Sequence, residues 1–526
     1  MIQRIRRRYT DFISVRANQY FLLILLLGIF LRVYQFGTLP IGLNQDEAFA
    51  GYEAFSLAHY GVDSAGYHNP VYFVSWGSGM NVLESYLAIP FVWLFGLSVY
   101  TIRMPQLICG ILSVPVLYLL LREVTENKRT ALIGMGLLAI SPWHIMLSRW
   151  GLESNLAPAF LLFGLYFFVK GVRDNRYFIL SAVFYGLTLY AYAITWAVVP
   201  LMVAGSCLYL WWSGKKFSRK YAAAFLVILF LLALPLILFV LVNNNVIPEI
   251  KTDFISVPKM LVMRDSEIKF SNIFDGESYY NLLNLLIKQS DGLEHNSTEF
   301  GLFYRFSVPF IFVGMAILLV DFVRSVRKKV YNEETFLLVA LVSALLVSLM
   351  LAGININRIN GVHIPLLICI TIGLSRLFDY FKNAKMLVRV VAFFYAVALI
   401  FFGSYYFTRY NDDIQDNFRH GAGEAVAFVK EQGFEKVNVD TSMYYPQLLF
   451  YDQTNTLEFL ETVEYRNYPA AFLSAKSFTK YTFGIDAKGD YDAYIIANRD
   501  SQKYQFSEAN GYTVVEFEEF AVAYRK

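Results

Sequence analysis

Apolar runs long enough to cross a bilayer recur through most of this 526-residue chain, and that recurrence limits its possible folds more than any single motif. Runs near 20–36, 105–121, 130–147, 156–172, 177–193, 194–212, 221–243, 303–323, 334–352, 361–380 and 386–407 each hold about 17–25 residues. At 1.5 Å per residue a helix of that length covers a hydrocarbon core of about 30 Å. Charged residues are 17% of the chain, against about 25% in average soluble domains, which excludes an ordinary soluble enzyme, a disordered chain and a basic nucleic-acid binder. The expected fold class is therefore an all-α polytopic membrane domain of about 11 spans plus interfacial helices, followed by a small C-terminal α/β domain.

The stretch 81–97 is ambiguous by length, and charge resolves it. If it lies in the interface and the N-terminus is cytoplasmic, the loops holding Arg122/Lys128/Arg129, Lys170/Arg173/Arg176, Lys215/Lys216/Arg219/Lys220, Arg324/Arg327/Lys328/Lys329 and Lys382/Lys385 all join Arg4–Arg8 on the cytoplasmic side. The short opposite loops keep only Arg103, Arg149 and Arg358. That is a positive-inside pattern, and it places the C-terminus outside. The N-terminal run is read as a retained helix, since it is long enough to span and no small-residue cleavage site follows it. Residues 1–407 are expected to form the membrane domain, with long outer loops 37–104 and 244–302 (the second carrying Arg264), and 408–526 an extracytoplasmic α/β domain. Within that tail, 423–433 reads as helix and 436–440, 491–498 and 512–525 read as strands.

The first outer segment reads Pro40-Ile41-Gly42-Leu43-Asn44-Gln45-Asp46-Glu47-Ala48, and from Gly37 to Asn81 it holds no lysine or arginine. Asp46 and Glu47 follow a turn signal and open a helical pattern. They are either a cap with a first-turn acid, or carboxylates poised to accept a proton or hold a divalent cation near a helix N-terminus. Glu153 lies between two spans on the same face, solvated, paired with Arg149, or converging on Asp46. Arg358 is the one cation of its short outer loop, suited either to snorkelling or to holding a phosphate at headgroup depth. Arg32, late in the first span, needs a partner, an outer acid or a lipid phosphate. His363 is either a packing histidine or a ligand. Tyr52 and His68, from the first outer segment, complete the expected substrate-binding set with Arg358, Arg32 and His363.

At these residues the chain resembles the GT-C class of membrane glycosyltransferases, in particular the protein O-mannosyltransferase-like and aminoarabinose-transferase-like group. The resemblance rests on Arg32, then Pro40-x-Gly42-Leu43-x-x-Asp46-Glu47-Ala48, Phe95-Gly96-Leu97-Ser98 with Arg103-x-Pro105, Ser141-Pro142 ahead of Ser148-Arg149 and Glu153, and Arg358 with Pro365. It covers roughly residues 20–380. It implies transfer of a sugar from a polyprenyl-phosphate carrier to a glycan, lipid or protein acceptor on the extracytoplasmic face, with inversion. It makes Asp46, with Glu47 beside it, and Glu153 the catalytic acids, Asp46 and Glu153 candidate ligands of a Mg or Mn ion, and Arg358 the holder of the carrier phosphate. Glu153 stands where aspartate is commoner, and Ile359 replaces a usual tyrosine. The competing expectation is a transporter or flippase of a lipid-linked sugar, which calls for ionisable residues at the bilayer midplane. Here most charges sit at span ends. For an enzyme, the donor site is expected to survive deletion of 408–526, with the tail and loop 244–302 shaping acceptor choice.

Overall fold

The structure, a computed structural model, describes residues 2–75, 79–262, 268–294, 296–381, 384–500 and 503–525, with backbone alone for 2–15. Arg264, Lys382 and the side chains of Arg4–Arg8 from the charge pattern lie outside the described residues. The chain begins with helix α1 (Ile2–Val33), then α2 (Gln45–Tyr60) and α3 (Leu83–Phe95) in the first long loop. The bundle continues with α4 (Val99–Thr125), α5 (Lys128–Ile140), α6 (Pro142–Leu147), α7 (Ala157–Arg173), α8 (Tyr177–Thr188), α9 (Thr195–Ser213) and α10 (Arg219–Asn243). The second long loop holds a two-stranded ribbon, β1 (Ile250–Lys251) and β2 (Ser256–Val257), and α11 (Gly276–Lys288). Four more helices follow: α12 (Val308–Lys328), α13 (Thr335–Leu349), α14 (Asn360–Tyr380) and α15 (Ala384–Thr408).

Eight described helices are long and apolar enough to cross a membrane, and the chain is a multi-pass membrane protein. The three other expected spans form shorter helices. Residues 130–147 break at Ser141-Pro142, where Ser141 caps α6, and α8 and α13 run for 12 and 15 residues. The 13 residues of α3 reach about 20 Å, comparable to α5 and α8. Its C-terminal tip, Trp93, Leu94 and Phe95, is exposed.

After α16 (Tyr410–Ile414), the tail builds α17 (Ala422–Glu431), α18 (Tyr445–Asp452) and α19 (Thr456–Thr462) against a seven-stranded sheet. Its strands are β3 (Val437–Val439), β4 (Glu464–Tyr465), β5 (Ala475–Phe478), β6 (Tyr481–Phe483), β7 (Ala493–Ala497), β8 (Thr513–Phe517) and β9 (Phe520–Tyr524), in the order β4-β5-β6-β3-β7-β9-β8. Central β3 runs parallel to β6 and β7, so it is buried on both faces and reads as unbroken valine-asparagine-valine. The run 512–525 is two strands rather than one: Glu518, at φ +50°, turns the chain into an antiparallel hairpin.

The tail shares its core with the membrane region. Val426, Val437, Ile495 and Val522 belong to one apolar cluster with Leu43, Tyr52, Val92 and Ile102. Gly51 permits the close approach, since a Cβ there would lie 2.7 Å from the Phe450 ring and 2.8 Å from Ile102. Helix α2 is thereby clamped between α3 and α4 on one side and α18 on the other.

Candidate active site

The turn before α2 sets the position of both acids. The Asn44 side chain accepts from the Asp46 backbone N–H at 2.9 Å and caps the helix, which leaves the Asp46 carboxylate in the first turn, half-buried, where the helix dipole favours its charged form. Glu47 points the opposite way and is fully buried. Both its oxygens accept from Arg103, at 2.6 and 2.8 Å, and one also accepts from the Gly151 N–H at 2.6 Å. The same guanidinium donates to the carbonyls of Pro40 (2.7 Å) and Gly42 (2.9 Å), so Arg103 straps the turn to α4. Its own segment offers Glu47 no cation, and one 56 residues away in sequence supplies the pair.

A fourth carboxyl, absent from the sequence-derived set, completes the cup. Glu84 in the first turn of α3 is 2% exposed, and neither oxygen has a well-formed hydrogen bond. A Cβ on Gly151 would meet a Glu84 oxygen at 2.4 Å and Glu47 at 3.3 Å, so only glycine fits between these acids. Burial pushes the Glu84 carboxyl well above its ordinary value, and Glu47, Glu153 and Asp46 add to the rise. Sequence reasoning missed it because its context, LESYLAIPFV, reads as an apolar helix; an acid opening such a helix was the available signal.

Glu153 is half-buried and accepts from the backbone N–H of Asn81, tying the α6–α7 turn to the start of α3. Its neighbour Ser154 donates to the side-chain oxygen of Asn357, and Asn360 donates to the Ser154 carbonyl at 3.2 Å. Those bonds join residues adjacent to Glu153 and to Arg358, placing the head of α14 on the same face as the acids. Arg358 is half-buried and donates to the Gly353 carbonyl at 3.0 Å within its own loop.

The remaining expected substrate ligands hold the structure together instead. Arg32 is wholly buried and donates to the carbonyls of Gly28, Leu138 and Ala139, with His144 Nδ1 at 2.7 Å, fastening α1 to α5 and α6. Arg149 likewise donates to the carbonyls of Leu31 and Arg32 at the end of α1 and of Gln35 and Leu39 in the turn that follows. His363 is buried with its ring edge-on to Trp143 (4.7 Å) and no hydrogen bond to either nitrogen. Tyr52 is buried and donates to the Thr454 carbonyl at 2.8 Å, pinning the tail. His68 closes the loop after α2 through the Gly61 carbonyl, at the helix end remote from Asp46.

At that remote end lies a second acid pair. Glu53 and Asp63 are both buried; Ser64 donates to Glu53, and the Ala65 and Tyr67 N–H groups donate to Asp63. Burial, then Asp63, raises Glu53 well above its usual range, and burial pushes Asp63 up to about 7 despite Lys251 nearby.

As for a metal, Glu47 is committed to Arg103, and Asp46 and Glu153 are the two half-buried carboxylates of the cup. No group of three or more His, Cys, Asp or Glu among the described residues forms a complete cage. A divalent ion held by two carboxylates completes its shell with water and substrate oxygens, as Mg²⁺ commonly does.

Residues 82–239 match the model of the dolichyl-phosphate-mannose-protein mannosyltransferase family, a segment that includes Glu84, Arg103 and Glu153. No curated protein matches the chain by sequence. Among solved structures, ArnT from Cupriavidus metallidurans in the apo state aligns over 98% of this chain and 98% of its own, at 12% identity and a TM-score of 0.57. ArnT bound to undecaprenyl phosphate aligns over 97% of each chain, at 12% identity and a TM-score of 0.54. The apo oligosaccharyltransferase of Archaeoglobus fulgidus aligns over 83% of this chain, at 14% identity and a TM-score of 0.51; this chain spans 64% of that protein's length. At such identities the likeness is one of fold. The fold is that of the GT-C membrane glycosyltransferases, and the matched segment carries the mannosyltransferase-family pattern.

Proposed function

We propose that this protein transfers a sugar from a polyprenyl-phosphate carrier to an acceptor (glycan, lipid or protein) on the face that carries α2 and the tail, the extracytoplasmic face by the distribution of basic loops. The observation that carries this reading is the acidic cup, in which Glu47 pairs with Arg103, Glu84 is buried among its fellow acids, and Asp46 lies half-buried in the first turn of α2. The full-length likeness to ArnT, solved with undecaprenyl phosphate bound, supports the donor class.

In this reading Asp46 takes the proton of the acceptor nucleophile as it attacks the anomeric carbon. The bond from that carbon to the carrier-phosphate oxygen breaks, and its electron pair leaves with the phosphate. Attack opposite the leaving group inverts the anomeric centre. Arg358, at the head of α14, compensates the charge gathering on the phosphate. Glu153 holds the start of α3 in register through Asn81 and faces the cup as the second carboxylate. A divalent cation between Asp46 and Glu153 would supply further charge compensation.

The test is to incubate purified protein with a panel of polyprenyl-phosphate sugars and measure release of free carrier phosphate. One donor is expected to turn over, and Asp46→Asn to lower the rate at least 100-fold, the low end for a general base, with an unchanged melting temperature. Normal turnover by Asp46→Asn removes that residue from the chemistry, and failure of every lipid-phosphate sugar overturns the donor class.

A further inference from the structure

Between the membrane domain and the tail lies a cleft of about 600 Å³ that takes no part in the chemistry described above. Its volume falls within the usual range for small-molecule sites, about 300–1,000 Å³. One wall is the turn after α1 and the α3–α4 corner; the other is the start of α17 and the end of α18. The turn 37–42 separates it from the acidic cup, with Arg103 and Glu47 on the far side.

Two tyrosines, one in each wall, pack closely against glycine backbone. A Cβ on Gly37 (φ +85°) would strike the Tyr100 ring at 2.2 Å, and one on Gly423 would lie 2.8 Å from the Tyr451 ring. Glycine at both places lets an aromatic face sit where another residue would push it away. Around them stand Glu424, exposed and within electrostatic reach of Tyr451, together with His420, Gln453 and Thr38. None of the lining residues is lysine or arginine, and Glu424, the one carboxylate among them, repels a phosphate. Convergent carboxylate, amide, imidazole and hydroxyl groups are equally unsuited to an acyl chain, which would leave them unpaired. Aromatic faces for C–H surfaces, with a carboxylate and an amide for hydroxyl edges, match a pyranose ring.

The cleft also adjoins an exposed apolar helix tip. Its Leu97–Tyr100 wall follows directly on Trp93, Leu94 and Phe95, which are 66%, 61% and 72% exposed. Tryptophan and its apolar neighbours at a helix tip anchor in the headgroup layer. We infer that this cleft binds a neutral sugar unit, presented from the membrane surface as a glycolipid headgroup or a membrane-proximal glycan, at a place apart from the Asp46 cup.

Saturation-transfer NMR on the full chain in phosphatidylcholine nanodiscs tests this, with methyl glucoside and methyl galactoside as ligands and glycerol 3-phosphate as the anionic control. At least one neutral glycoside is expected to show saturation, the phosphate none. Tyr100→Ala and Glu424→Gln, both at exposed positions that leave the fold intact, should each reduce the signal at least fivefold, whereas Asp46→Asn should retain it. A dodecyl glycoside added to the nanodiscs is expected to compete at a concentration at least tenfold below the methyl glycoside, which assigns the sugar to the membrane surface; equal potency overturns the lipid-presented source. Absence of saturation for every neutral glycoside, an equal phosphate signal, or indifference to both substitutions overturns the sugar site. Because binding is read without turnover, a failed transfer assay and a failed binding assay report on the two proposals separately.

Discussion

Asp46 and Glu47 are neighbours in sequence with opposite fates, and a single helical step decides which is which. The side chain of Asp46 stays at the rim of the cup, while that of Glu47 enters protein and meets the Arg103 fork. Breaking a buried pair by removing one partner leaves an uncompensated charge. Arg103→Ala should therefore destabilise the protein by about 3–5 kcal/mol, read as a large fall in melting temperature, whereas Asp46→Asn leaves that temperature unchanged. Glu84 behaves as the reverse case. Its folded value lies well above that of an unfolded glutamate, so the native state keeps a proton the unfolded chain has lost. Stability from this group is fully present below the unfolded value and drains away as pH rises through the folded one. Glu84→Gln, isosteric with the protonated acid, should flatten that decline, and melting curves taken from pH 5 to 9 would expose it; parallel slopes for the two proteins would show that Glu84 is charged throughout. Arg32, His363, Tyr52 and His68 illustrate what residue type alone conceals. A guanidinium that faces a ligand and one that caps helix carbonyls are written with the same letter, and only the fold shows that Arg32 meets Leu138 and Ala139.

Helix α2 gathers three functions along 16 residues: a capped N-terminus with Asp46, a middle clamped at Gly51 and Tyr52, and a C-terminal end beside the Glu53–Asp63 pair. Burial favours the neutral form of both acids, and Asp63 adds to the rise at Glu53. Stability contributed by Asp63 should fall as pH rises from about 4, its unfolded value, to about 7. Asp63→Asn should remove that slope, and hydrogen exchange of the 61–68 loop should quicken with pH in the parent protein but not in the variant. Much of this scale was legible beforehand. Apolar length placed the bundle helices, and the scarcity of basic residues in the outer loops was the ground for reading 81–97 as non-spanning. The breaks at Ser141-Pro142 and between α8 and α9, and the hairpin within 512–525, were less legible. Each depends on a turn inside an apolar or strand-like run, where local composition barely changes. The pairing of Glu47 with Arg103 and the convergence on Gly151 were beyond reach, because both are made by elements 56 and 104 residues apart.

At the scale of the whole molecule, the tail is a structural wall of the catalytic region. The sequence suggested that a donor site would outlive deletion of 408–526. The shared core argues otherwise, because Leu43, Tyr52, Val92 and Ile102 pack in the same cluster as Val437 and Val522, and Gln447 donates to the Leu43 carbonyl at 2.8 Å. Truncation after 407 should expose that cluster, and the shortened protein is expected to bind a hydrophobic dye, run as aggregates in gel filtration and release no carrier phosphate; a monodisperse, active truncation would show that α2 holds its place unaided. The same packing sets a timetable for biosynthesis. Residues 43–102 emerge from the ribosome several hundred residues before the strands that cover them, so throughout insertion of the later helices this segment waits with its apolar side bare. A cell making this protein must shield that half-finished surface, through chaperones or the lipid interface itself, until the last strand threads into place.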